Sequence, residues 1–131
     1  MMMIGYVTLG SNNPAKAHEF YDAVCGSVGI KRLMTFPTGA IAWGLSWEQP
    51  MVAVGTPYDG GTASAGNGTM IALAMDSRAM VDTMYAAAIA AGGADEGAPG
   101  VRGAEGPQAF YGAYFRDLDG NKLCAFRVGP A

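Results

Sequence analysis

Hydrophobic and polar positions along the 131-residue chain pass through the same succession of patterns twice. Residues 3–9 (MIGYVTL) form a short β-rich run, followed by Ser11, Asn12, Asn13 and Pro14 and then by an amphipathic stretch that ends near Gly26. Residues 69–75 (TMIALAM) repeat the plan, with Asp76 and Ser77 ahead of a second amphipathic stretch. Asp76 and Ser77 supply oxygens that accept from the orphan amides of a first helical turn, and Pro14 suits such a turn because its missing N–H would have no partner there. Ala17, Phe20, Tyr21 and Val24 recur at i, i+3, i+4 and i+7, as do Val81, Met84, Tyr85 and Ala88. Each set makes one stripe that must be buried against a sheet. Gly26 and Gly29, and later Gly92 and Gly93, can close the helices in the left-handed conformation.

Three candidate strands follow each helix. In the first half they are Ile30 to Phe36, Ala40 to Ser46 and Met51 to Gly55. In the second half the stretch Ala98 to Gly103 is weak, whereas Ala109 to Arg116 and Asn121 to Val128 are clear. The last two are joined by Leu118-Asp119-Gly120-Asn121, in which Asp-Gly tolerates the positive φ of a tight hairpin. Arg116 and Asp117 beside it read as surface or turn residues. The pattern is βαβββ twice in a single domain, with module 1 over about 1–58, a Gly, Ser and Thr-rich linker over 59–68 and module 2 over 69–131.

Length and composition agree with that reading. A chain of 131 residues, half of them hydrophobic, suits one globular domain with a substantial core. A net charge of −3 with eight scattered Lys and Arg residues makes no basic stripe and argues against nucleic-acid binding. The opening MMMI has no basic flank and runs straight into a strand, and no segment approaches the roughly 20 apolar residues of a membrane span. Two cysteines do not make a disulfide framework, so a reducing cytoplasm is the expected location. Gly55 to Gly68 lacks both the Gly-x-Gly-x-x-Gly and the Gly-Lys-Ser/Thr phosphate motifs. A small molecule or a protein partner remains.

The strand IGYVTLGS, the helix AKAHEFYDAV with GIKRL after it, the run SRAMVDTMYAAAIAAGG and the terminal FYGAYFRDLDGNKLCAFRV together resemble the vicinal oxygen chelate superfamily of glyoxalases, bleomycin-resistance proteins and extradiol dioxygenases. The resemblance covers nearly the whole chain and rests on the order and spacing of its motifs. It implies an α+β fold in which two βαβββ modules form a cupped mixed sheet around a small-molecule site, with helices on the outer face, and it implies a homodimer. Metal-dependent members place His, His and Glu where this chain has Tyr6, Met70 and Cys124, with a pseudo-equivalent position near Ala53. A Lewis-acid cation needs about three imidazole or carboxylate ligands. Tyrosine binds as a phenolate, disfavoured by a pKa of about 10, and methionine is soft and neutral. No metal or other cofactor is therefore expected, the alternative being a divalent metal or a soft ion such as copper(I) bound with a Cys124 thiolate.

Strand alternation, anchored on those positions, places Ile4, Tyr6 and Thr8, then Met70, Ala72 and Ala74, then Lys122, Cys124 and Phe126 on the inner face. Trp43 is assigned to the cup as contact area, and of Tyr111 and Tyr114, which face opposite ways, Tyr111 is placed inside. Cys124 and Tyr6 are the candidate reactive groups, although a strand cysteine is more often a small buried hydrophobe. Arg102 is a candidate ligand-side cation, with surface exposure as the alternative, and the lone His18 reads as a solvated or rim residue. The leading expectation is a protein that binds a small apolar or aromatic molecule without a catalytic metal. The alternatives are a lyase- or dioxygenase-like enzyme with an altered metal site, and a non-catalytic interaction scaffold whose cup is filled by its own side chains.

Overall fold

The computed structural model describes residues 1–131. The first module consists of β1 (Tyr6–Gly10), α1 (Pro14–Gly26), β2 (Lys31–Thr35), β3 (Ile41–Gly44) and β4 (Met51–Gly55). The second repeats it with β5 (Met70–Ala74), α2 (Arg78–Ala90), β6 (Ala94–Arg102), β7 (Phe110–Arg116) and β8 (Lys122–Val128). Both sheets have the same plan, β1-β4-β3-β2 and β5-β8-β7-β6. In each, the first and last strands pair in parallel and the other neighbours antiparallel. Parallel partners need a long crossover, and the helix with its two following strands supplies it.

The helices begin where the polar clusters predict. The Asn13 side chain accepts from the Lys16 amide and the Ser77 side chain from that of Met80, with Pro14 in the first turn of α1. Past their ends, Gly29 and Gly92 take positive φ values of 82° and 99°. The weak strand of the sequence is a nine-residue edge strand, β6, despite Pro99 and several glycines. An edge position accommodates them, because proline loses no ladder bond there and the register slips between Asp95, Gly97 and Gly100.

Each helix lays its apolar stripe on the sheet of its own module, and the two helices pack against each other. The result is one core that includes Phe20, Tyr21 and Val24 of α1, Val81 and Met84 of α2, and Trp43, Val54, Phe115 and Leu123 of the sheets. No strand of one sheet packs on a strand of the other, so the opposite face of each sheet is left without a covering helix or strand. The cupped sheet expected from the sequence is thus present as two separate halves within one chain. No helix is long and apolar enough to cross a membrane.

A buried carboxylate joins the modules. Asp117, at the β7–β8 turn, is only 5 % exposed, where the sequence suggested a surface or turn residue. Its Oδ2 accepts from the Tyr21 hydroxyl (2.6 Å) and from Asn121 Nδ2 (2.9 Å), while Oδ1 accepts from the backbone amides of Asp119 and Asn121. Asn121 Nδ2 also donates to the Gly10 carbonyl at the end of β1, and the Asn12 amide donates to Asp119. Four donors compensate the desolvated charge, which is why it can be buried. Burial and the adjacent Asp117 carboxylate push the Tyr21 phenol far above its ordinary range, so it remains a donor.

Tyr21→Phe removes one bond to a buried carboxylate and is expected to cost about 1–3 kcal/mol in a urea titration. Asp117→Ala strands several donors at once and is expected to cost more. Unchanged midpoints for both variants would show that this joint does not hold the modules together.

Candidate functional site

Burial sorts each strand into a helix-facing and an open side. On β1, Leu9 enters the common core, and Tyr6 and Thr8 point the other way, beside Met51 and Ala53 of β4. On β5, Ile71 and Leu73 pack against the core, leaving Met70, Ala72 and Ala74 on the open face opposite Lys122, Cys124 and Phe126. Seven of the nine expected cup residues therefore lie on open faces: Tyr6 and Thr8 on the first sheet, and Met70, Ala72, Lys122, Cys124 and Phe126 on the second.

Trp43 and Tyr111 do not. Trp43 is 2 % exposed in the helix-facing core, its indole N–H donates to Asp22 of α1 at 3.0 Å, and its ring lies 5.5 Å from that of Tyr21. All four residues of β3 are buried, so apolarity alone does not distinguish its faces. Tyr111 points to α2, donating to Asp82 at 2.6 Å beneath the Arg78 guanidinium. Tyr114 occupies the open face instead. The signal lay in the hairpin: with Arg116 opposite Lys122 across the turn, Tyr114 falls opposite Cys124. His18, expected at a solvated rim, is half-buried beside Trp43 with Nε2 2.9 Å from the Val54 carbonyl, so Nε2 carries the proton.

The open face of the first sheet holds a cleft of about 290 Å³ lined by Tyr6, Thr8, Phe36, Ala53, Gly55 and Tyr58 among others. Tyr6 and Phe36 are in contact at 5.5 Å between ring centres, and Tyr6 is still 52 % exposed. Gly55 keeps the cleft's floor tight, because a Cβ there would lie 2.7 Å from that of Ala40.

The open face of the second sheet is aromatic and cationic. Phe110 and Phe126 stack nearly parallel at 5.4 Å, and Gly112 between them has no room for a Cβ, which would meet the Phe110 ring at 2.6 Å. Beside them, Arg102 of β6 and Lys122 of β8 each bring their charge to 5.5 Å from the centre of the Tyr114 ring. Cys124, opposite Tyr114, is 1 % exposed. Burial pushes its thiol above the ordinary value, outweighing the opposing pull of Tyr114, Arg102 and Lys122. Tyr114 is likewise raised, by burial and then by Cys124.

A divalent cation does not fit these residues. No group of three or more His, Cys, Asp or Glu side chains anywhere in the chain could hold a metal ion. The side chains of Tyr6, Met70 and Cys124 offer a phenol, a thioether and a protonated thiol, with nothing from Ala53, and none is a carboxylate or imidazole of the kind catalytic divalent ions use.

No family model and no curated protein matches the sequence. Among solved structures, the chain is similar to a glyoxalase/bleomycin resistance protein from Albidiferax ferrireducens, with 35% identity and a TM-score of 0.84 over 96% of this chain and 99% of that one. A glyoxalase/bleomycin resistance protein/dioxygenase family enzyme from Burkholderia phytofirmans shares the fold at 18% identity and TM-score 0.69, covering 95% of this chain and 97% of the other. A lactoylglutathione lyase from Agrobacterium tumefaciens does so at 18% identity and TM-score 0.65, covering 97% and 94%.

Both cysteines are buried and unpaired, and burial, with a smaller contribution from Asp22, pushes the Cys25 thiol up to about 12. A thiol raised in this way is protonated at neutral pH and slow to attack. Titration with a chromogenic disulfide at pH 7.5 is expected to find neither thiol within minutes in the native protein and both at once in guanidinium. Rapid labelling of native Cys124 would instead identify it as a nucleophile.

Proposed function

The chain belongs to the glyoxalase/bleomycin resistance/dioxygenase family, and from that premise we propose that it binds a small apolar or aromatic molecule between the open faces of its two kinds of sheet, without a divalent metal. The observation that carries this reading is the surface those faces present. Tyr6, Phe36 and Tyr58 surround a cleft on one, and the Phe110–Phe126 stack lies on the other, with no helix or strand covering either. An apolar concavity with a few polar handles is the usual form of a small-molecule site.

The open faces of one chain do not close on each other, so a second copy completes the cup and the binding form is a homodimer. The unpaired edges of β1 and β5 support this, since an exposed strand edge is ordinarily covered or paired. Exposed Tyr6 and Met70 on those same strands add apolar area that a partner would bury. Binding is favoured over catalysis because the Cys124 thiol is buried and its titration is pushed upward, which leaves it protonated and a poor nucleophile.

The test is a fluorescence titration with the neutral dye N-phenyl-1-naphthylamine, alongside light scattering for mass. A dimer with saturable dye binding, unaffected by EDTA, is expected. Phe36→Ala and Phe126→Ala are each expected to weaken binding about three- to tenfold, the worth of one aromatic contact. Dye binding that never saturates would defeat the proposal, and binding abolished by EDTA would defeat its metal-free part.

A further inference from the structure

Resting on that reading, we propose that the bound molecule carries an anionic group, anchored on the second sheet by the Arg102 guanidinium and reinforced by the Lys122 ammonium. The chain as a whole is acidic, at −3, yet this open face concentrates positive charge. Three carboxylates elsewhere are held by other cations: Asp22 pairs with Arg32, Glu105 with Arg78 and Glu96 with Arg116. Neither Arg102 nor Lys122 has an ion-pair partner.

Arg102 is also seated in a way that a solvated surface arginine has no need of. Its Nη1 donates to the Gly100 carbonyl at 2.9 Å and its Nη2 to that of Ala98 at 2.7 Å, both on its own strand, while the guanidinium lies over the Tyr114 ring. Two glycines make the seat. A Cβ on Gly100 would stand 3.1 Å from Nη1, and one on Gly97 would stand 3.1 Å from both Nη2 and the Tyr114 ring. Gly97 has a φ of 153°, which L side chains rarely adopt, and it lies at the slip in the β6–β7 register. The bulge and both glycines thus leave room for one guanidinium over the Tyr114 ring, with its Nε making no hydrogen bond to the protein.

A fork held in this way has already lost most of its conformational freedom, so an anion meets little further ordering cost. Lys122 comes to the same ring on a flexible stem, and the Phe110–Phe126 stack offers a flat apolar surface beside the charges. A planar aromatic body with a carboxylate, sulfonate or similar oxyanion matches that juxtaposition, through charge-assisted hydrogen bonds to Arg102.

The test compares two dyes with one aromatic skeleton, 8-anilinonaphthalene-1-sulfonate and the neutral N-phenyl-1-naphthylamine, titrated into the full-length protein. The sulfonate is expected to bind at least about tenfold more tightly, the worth of a charge-assisted hydrogen bond, with a preference that shrinks as salt is raised. Arg102→Met is expected to erase the preference, with saturable binding of the neutral dye retained. Lys122→Met should reduce it less, and Gly100→Ala should reduce it by displacing the guanidinium. Equal affinity for the two dyes, as when a carboxylate of the second copy neutralises the face, overturns the proposal, as does a preference that survives Arg102→Met. If neither dye binds saturably, the small-molecule reading itself has failed.

Discussion

The arrangement of the whole chain depends on the Asp117 carboxylate. It sits where the last hairpin turns, takes the Tyr21 hydroxyl from the first helix, and through Asn121 reaches the end of the first strand. The turn itself requires Gly120 at a φ of 89° and two backbone amides folded over Oδ1. A buried ion is tolerated only when its lone pairs are filled. The same requirement that satisfies Asp117 therefore sets how module 2 sits against α1. Apolar contacts between the helices supply most of the attraction, but they are non-directional, and the hydrogen bonds define the fit.

With each helix packed on the sheet of its own module and against the other helix, each sheet has one covered face and one open face. Strand alternation carries this division into the site. Val54, Leu123 and Phe115 serve the core, while their neighbours Ala53, Cys124 and Tyr114 serve the open side. The division also puts Tyr6 and Cys124 on different halves of one chain. Within one chain each half presents chemistry of its own: hydroxyl-bearing aromatics on the first, and stacked phenylalanines with two cations on the second.

Glycine has two separate uses in these faces. At Gly55 and Gly112 it lets neighbouring groups approach closely, the Ala40 backbone in one case and the Phe110 ring in the other. At Gly97 and Gly100 it leaves space for a charged group. The second use falls on an edge strand, where a register slip is tolerated because only one side of the ladder is disturbed.

The sequence by itself determined the elements, their order and most of the inward parity, because these follow from short-range constraints. Pro14, Ser77 and the Asp119-Gly120 pair mark starts and turns, and alternation on β1, β5 and β8 separates Tyr6, Met70 and Cys124 from Leu9, Ile71 and Leu123. Tertiary structure decided what depends on partners distant in the chain. Trp43 faces the helices because Asp22 accepts its N–H, Tyr111 faces them because Asp82 accepts its hydroxyl, and Asp117 is buried because Tyr21 lies 96 positions away in sequence yet 2.6 Å away in space. The Arg102 seat was hidden for the same reason: it needs Gly97, Gly100 and Tyr114 in one register, and a slipped strand has no periodicity from which that register can be read.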